Sequence, residues 1–256
     1  MEDSINGGLL YHEVQESKLC AVHCVNAVLQ GPFFSEFDFA ALASDLDLKE
    51  RQVMTSSSGD FLTEGSHNVS LGGDFSIQVL EKALEVWDLT VVPFSNPEAE
   101  EAQVDPDSEN AFICHLHDHW FCIRKVNGDW YNFDSLYYAP ELLSKFHLSA
   151  YLDSLKNSGW SIFIVRGNFP KDFLISSMDS SNGYGQWLSP EDAERIRKSR
   201  ILTMSNVPEI IDPIMGSLSE DEDFRAAIAA SLMDSSQVTP KSDIDASTQD
   251  TVESPK

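Results

Sequence analysis

The stretch Ala111–Ser135, AFICHLHDHWFCIRKVNGDWYNFDS, decides the fold. Ala111 to Leu116, Trp120 to Val126 and Trp130 to Phe133 are short runs rich in apolar and aromatic residues, the length and content of strands. Asn127-Gly128 separates the last two. Both residues tolerate positive φ, so the pair predicts a type I′ turn and an antiparallel hairpin. With that turn Val126 faces Asp129, and counting outward sets Phe121 opposite Asp134. His119 is two residues from Phe121, so it shares a sheet face with Asp134 as a diagonal neighbour, about 7–8 Å away at the backbone. A carboxylate there accepts from one imidazole nitrogen and fixes the tautomer, leaving the other nitrogen to take a proton. A one-residue shift in the turn would send the pair to opposite faces.

Working outward, helices come first. Ser17 is the expected cap of a helix carrying Ala21, Val22, Val25, Val28 and Leu29, which Gly31-Pro32 ends. Ser35 opens a second, with Phe39, Leu42, Ala43 and Leu46 on one face. Gln52 to Gly73 is a polar excursion. Phe75 to Trp87 has helical spacing at Val79, Leu80, Ala83, Leu84 and Trp87. Leu89 to Phe94 is a strand candidate, and Asn96 to Asn110 an acidic loop. Beyond the hairpin, Pro140 to Phe146 and Ser149 to Asn157 read as helices and Trp160 to Val165 as a buried strand. Helices followed by a mostly antiparallel sheet argue an α+β fold.

Cys20 falls in the first turn of its helix, where unpaired N–H groups and the helix dipole favour a thiolate, the nucleophile acyl transfer needs. Gln15, five residues upstream, offers a side-chain amide for a developing oxyanion. Taken singly, a helical cysteine is more often packing and a loop glutamine more often solvated. Cys20, His119, Asp134 and Gln15 together are the parts of a thiol protease. A rival reading uses the alternate spacing of His115, His117 and His119 as a zinc site.

The formal net charge is −25 over 256 residues, with 42% hydrophobic residues. That balance disfavours contact with nucleic acid or an anionic membrane. No apolar run approaches bilayer length. Four cysteines without scaffold spacing and no visible secretory signal give the expectation of an intracellular protein with reduced thiols. The sequon Asn68-Val-Ser70 is then a chance match.

The combination of QESKLCAVHCVNAVLQ at residues 15–30, Phe75-Ser-Ile-Gln-Val79 with Trp87, His119-Trp-Phe121 and Trp130-Tyr-Asn-Phe-Asp-Ser135 resembles a Josephin domain, in order and spacing, from about Leu9 to Pro170. The resemblance implies a papain-like cysteine protease fold acting as a thiol-dependent deubiquitinase. Cys20 would be the nucleophile, His119 the general base and then acid, Gln15 the oxyanion donor and Asp134 the orienting group, at a place where asparagine also occurs in the family. No cofactor or metal is implied. Ile77, Gln78 and Trp87 match a ubiquitin-binding surface near the active site, and Phe33, Phe34 and Trp120 a second one elsewhere. The excursion at 52–73 matches a projecting helical hairpin. The rival from another class is a non-catalytic ubiquitin-binding adaptor.

The expected organisation is a catalytic domain at 9–170, a linker with a short helix at 171–216, a ubiquitin-interacting motif at 217–236 and a disordered tail at 237–256. In the third segment an acidic run, Glu220 to Asp223, precedes Phe224, Ala227, Ile228, Ser231 and Leu232 at i, i+3, i+4, i+7 and i+8, one face of a helix suited to a partner's groove. The pattern resembles a ubiquitin-interacting motif. Implied partners are ubiquitin, polyubiquitin chains and ubiquitinated proteins, with a segregase or proteasome-shuttle protein beside them. Nuclear and cytoplasmic residence is expected. The basic cluster Arg195 to Arg200 reads as an import or docking element, or as the positive end of a capped helix.

Overall fold

The computed structural model describes residues 5–57, 66–70, 73–170 and 185–204. The hairpin forms in the expected register. Strands β3 (Ala111–Leu116), β4 (His119–Val126) and β5 (Asp129–Phe133) pair antiparallel, with Val126 opposite Asp129 and Cys122 opposite Phe133. Asn127 takes φ 53° and Gly128 φ 90°, as a type I′ turn requires. With β2 (Leu89–Pro93), β6 (Glu141–Leu143) and β7 (Ser161–Gly167) they make a six-stranded antiparallel sheet of order β2-β7-β3-β4-β5-β6.

Successive side chains point to opposite faces, and both faces of this sheet are covered. Ile113, Trp120, Cys122 and Val165 pack on one core, with α1 (Cys20–Leu29) and α3 (Ile77–Glu85). Phe112, Phe121, Ile123, Trp130 and Ile164 pack on the other, with Leu148, Leu152 and Leu155 of α5 (Lys145–Asn157). The central strands therefore read as nearly continuous apolar runs.

Every residue of α1 is buried. Its start differs from expectation: Leu19 is the N-cap and no side chain caps it, while Ser17 only accepts the Leu19 N–H at 2.7 Å. The first-turn N–H groups thus stay open toward the site. Its end differs too. Gln30, not Gly31, takes the left-handed conformation at φ 56°. Gln30 Oε1 accepts from the Tyr11 N–H and Nε2 donates to the Ala27 carbonyl, which fixes the residue there. Arg124, buried on the same sheet face, donates from Nε to the Val28 carbonyl at 3.1 Å and clamps this helix end to β4.

Ser35 does open α2 (Glu36–Ser57), exchanging hydrogen bonds with Asp38. The helix runs on into the stretch expected as an excursion; residues 58–65 and 71–72 of that stretch lie outside the described residues. Asn68 of the sequon is buried and its amide donates to Asp47. The acidic loop contains a short helix, α4 (Glu100–Val104).

Pro140 to Phe146 is not a helix. Glu141–Leu143 is the edge strand β6, and Ser144 caps α5 by accepting the His147 N–H. Leu and Glu favour helix, but the open hydrogen-bonding edge of β5 overrides that preference. A second sheet was also unforeseen: β1 (Leu10–Glu13) pairs with β8 (Gly185–Leu188). Gly185 is required, since a Cβ there would sit 2.0 Å from the Tyr11 hydroxyl. Ser189 then caps α6 (Pro190–Met204), accepting the Asp192 N–H at 3.1 Å. Residues 185–204, expected in a linker, thus belong to a unit spanning Met1–Asn206. In the basic cluster Arg195 pairs with Asp192, Arg197 with Glu141 and Lys198 with Glu194, which favours the structural reading of that helix. The ubiquitin-interacting motif at 217–236 and the tail at 237–256 lie outside the described residues.

Candidate active site

Cys20, His119 and Asp134 meet where α1 begins, β4 begins and β5 ends. His119 Nε2 lies 2.9 Å from Asp134 Oδ1. Asp134 Oδ1 also accepts the Leu136 N–H at 3.0 Å, so the carboxylate is held from its own loop. With Nε2 engaged, Nδ1 is the nitrogen left for Cys20, which is within hydrogen-bond reach of the ring. Cys20 is buried, and its thiol also donates to the Asp118 carbonyl at 3.6 Å. Trp160 stands edge-on to the imidazole with centroids 6.5 Å apart, shielding it.

Burial alone disfavours the imidazolium, but the hydrogen bonds to Asp134 and Cys20 outweigh it and push the His119 pKa up to about 10. A cationic imidazole beside a thiol at a helix N-terminus is the arrangement that stabilises a thiolate. The other thiols are different. Cys24, Cys114 and Cys122 are buried in the cores, and burial raises the Cys24 and Cys114 thiols well above their ordinary range.

Gln15 is tied to the residue after Asp134. Its N–H donates to the Ser135 carbonyl at 2.9 Å, and its Oε1 accepts from the Ser135 hydroxyl at 2.8 Å. The amide oxygen is thereby occupied and the Nε2 hydrogens are left to donate. Sequence reasoning did not single out Ser135, nor Lys18, whose ammonium binds the side chain of Asp118 at 2.8 Å. Only the Asn-Phe-Asp-Ser run hinted at Ser135.

The three histidines of the zinc reading do not converge. His115 pairs with Trp120 and stacks on it at 3.8 Å, on one sheet face; His119 pairs with Leu116 and points to the other; His117 is a turn residue at φ 54°.

The structure brings some of the expected ubiquitin-binding residues into contact with one another. Trp87 packs edge-on against Phe33 with centroids 4.5 Å apart. Trp120 is buried, its Nε1 donates to the Phe75 carbonyl, and it lines a groove with Ile77 and Gln78. Trp120 is therefore a core residue with an edge on that groove. Asn26 holds the Phe33 and Phe34 N–H groups and the Phe34 carbonyl. Phe224, Ala227, Ile228, Ser231 and Leu232 lie outside the described residues.

The Josephin family model matches residues 15–166. The chain is 64% identical to the Ataxin-3 homolog of Arabidopsis thaliana, covering 92% of this chain and 93% of that one. It is 61% identical to the Putative ataxin-3 homolog of Oryza sativa subsp. japonica, over 90% of this chain and 75% of that one. It is 37% identical to Ataxin-3 of Homo sapiens, over 84% of this chain and 62% of that one.

Proposed function

The chain belongs to the Josephin family, and from that premise we propose that it is a thiol-dependent deubiquitinase cleaving at the C-terminal glycine of ubiquitin. The observation that carries the proposal is the Asp134–His119 hydrogen bond at 2.9 Å with Cys20 on the other side of the same imidazole. Cys20 attacks the carbonyl carbon of the ubiquitin glycine as a thiolate, and the imidazolium of His119 gives its proton to the departing lysine amine. Gln15 Nε2 and the Cys20 N–H hold the oxyanion. Water, deprotonated by His119, then hydrolyses the thioester and frees the thiol. The segment at 217–236 would add affinity for ubiquitin chains, and nuclear and cytoplasmic residence belongs to the same proposal. The test is hydrolysis of a fluorogenic ubiquitin reporter and of polyubiquitin; a purified chain inactive on both refutes it.

Two further results are expected. Gln15→Ala lowers kcat on the reporter by about 10²–10³-fold with KM within about twofold, since the amide acts on charge that develops in the transition state. A raised KM with unchanged kcat would instead assign Gln15 to substrate binding. Asp134→Asn moves the alkaline limb of the kcat/KM–pH profile downward by about one unit or more. The sign follows from the carboxylate: it raises the His119 pKa, so removing its charge lets the imidazolium deprotonate at lower pH. An unmoved or raised limb would dissociate Asp134 from the imidazole.

A further inference from the structure

Asp134, which orients His119, and Ser135, which holds Gln15, open the loop between β5 and β6, residues 134–140. Burial anchors this loop at Ser135 and Ala139, but Leu136 and Tyr138 between them are 47% and 50% exposed. Its own bonds are short-range. The Tyr137 N–H donates to the Asp134 carbonyl at 3.0 Å, and the Leu136 N–H to the Asp134 carboxylate. Bonds of that kind shape a turn and do not fix where it sits. Position matters here, because a misplacement of about 1 Å in a catalytic constellation costs about 10²-fold in rate.

The middle of the loop is held from outside. His12 Nε2 donates to the Tyr137 carbonyl at 2.7 Å, and Gln186 Nε2 donates to the Tyr138 carbonyl at 2.7 Å. The two donors stand side by side, since His12 of β1 is the register partner of Gln186 of β8. Burial keeps the His12 imidazole below its ordinary pKa, so it is neutral at neutral pH, and the carbonyl fixes its one ring proton on Nε2. The same imidazole is close enough to feel the Asp134 charge. Arg197 of α6 adds a third hold. Its guanidinium lies 5.7 Å from the Tyr137 ring centre and pairs at 2.8 Å with Glu141, the first residue of β6. The clasp is itself seated on the core. β8 pairs with β1 over four residues, Trp187 packs on Tyr11 with centroids 5.0 Å apart, and Leu188 and Ala193 are buried with the residues of α1. Gln186 and Arg197 reach the loop rather than the reacting groups, so their effect on the chemistry passes through the loop.

We propose that His12, Gln186 and Arg197 are positioning residues: the β1–β8 clasp and α6 lock the loop so that Asp134 stays on His119 and Ser135 stays on Gln15. The assignment rests on the reading of the chain as a thiol hydrolase of ubiquitin conjugates and gives the segment at 185–204 a part in that chemistry. Gln186→Met keeps the length of the side chain and removes the donor. Joined with Arg197→Met it releases two of the three holds and leaves the buried His12 in place. In the full chain, kcat on a fluorogenic ubiquitin reporter falls about threefold for Gln186→Met and about tenfold for the double variant, with KM within about twofold. An unchanged kcat, or a raised KM alone, overturns the proposal. A second readout needs no turnover: the His119 ring is titrated by nuclear magnetic resonance, its signal identified by its loss in His119→Gln. Against the effect of burial, Asp134 and Cys20 hold the His119 pKa up at about 10. A carboxylate that drifts from the ring lets that value fall, by about half a unit or more in the double variant. A lowered kcat with an unmoved His119 pKa means general loosening and refutes the clasp. A lowered His119 pKa in the double variant, with a parent chain that cleaves no ubiquitin, removes the hydrolase reading and keeps the clasp. Should the double variant not fold, Gln186→Met alone, whose backbone pairing with His12 is untouched, carries both readouts.

Discussion

Glu13→Ala will lower the free energy of unfolding by about 3–5 kcal/mol and the melting temperature by roughly 6–20 °C. Glu13 is buried at the end of β1, and its two oxygens organise a polar cluster inside the fold. Oε1 accepts from the Tyr11 hydroxyl at 2.5 Å, Oε2 lies 2.5 Å from His23 Nδ1, and the Asn26 amide donates to both at 3.1 and 3.3 Å. Tyr11, His23 and Asn26 are themselves buried. Removing the carboxylate strands these groups around a void, and each stranded group costs its desolvation. The damage is not local. His23 and Asn26 are on α1, the helix that Cys20 begins, and Asn26 also fixes the backbone of Phe33 and Phe34. Thermal and urea unfolding followed by circular dichroism measure the loss. Glu13→Gln, which keeps the shape and part of the bonding, should lose clearly less. A loss below about 1 kcal/mol for the alanine variant would mean that the cluster is not what joins β1 to α1.

Cys20→Ala will lower turnover of a ubiquitin reporter by about 10⁴-fold or more, with melting temperature near that of the parent. The substitution removes one sulfur from a cleft and leaves the helix backbone unchanged. Cys24→Ala is the contrasting variant. Cys24 packs beside Cys122 in the core, so its loss costs stability by cavity formation and leaves the chemistry in place. A Cys20→Ala protein that cleaves at the parent rate would contradict the nucleophile assignment, and so would a Cys24→Ala protein that is folded and inactive.

The parts of this molecule legible in the sequence are those governed by short-range rules. Asn127-Gly128 admits few turns, the turn sets the register, and the register puts His119 beside Asp134; the observed pairing and the 2.9 Å contact follow that count. Ser35, read as the opening of the second helix, caps α2, whereas Ser144, which caps α5, lies inside a stretch that reads as helix. Elements held by tertiary pairing were not legible. The four residues of β8 show no alternation, and they form a strand because β1, with Leu10 lying 178 positions before its partner Leu188, offers an open edge. Glu141–Leu143 joins β5 for the same reason, against its helical preference.

The site divides along the same line. Cys20, His119, Asp134 and Gln15 carry side chains whose chemistry announces itself. Ser135 and the Asp118 carbonyl contribute position alone, and serine and backbone leave no mark in a sequence. The contact of Trp87 with Phe33 and the nearness of Trp120 to Ile77 reflect packing between α3, the loop after α1 and the sheet, which residue spacing does not encode.

The most direct test of the central claim is reaction of the full chain with ubiquitin bearing a vinyl-type electrophile at its C-terminus, followed by peptide mass mapping. The account predicts one ubiquitin per chain, attached at Cys20, and none on Cys20→Ala. A chain that forms no adduct, or one attached at Cys24, Cys114 or Cys122, would contradict it.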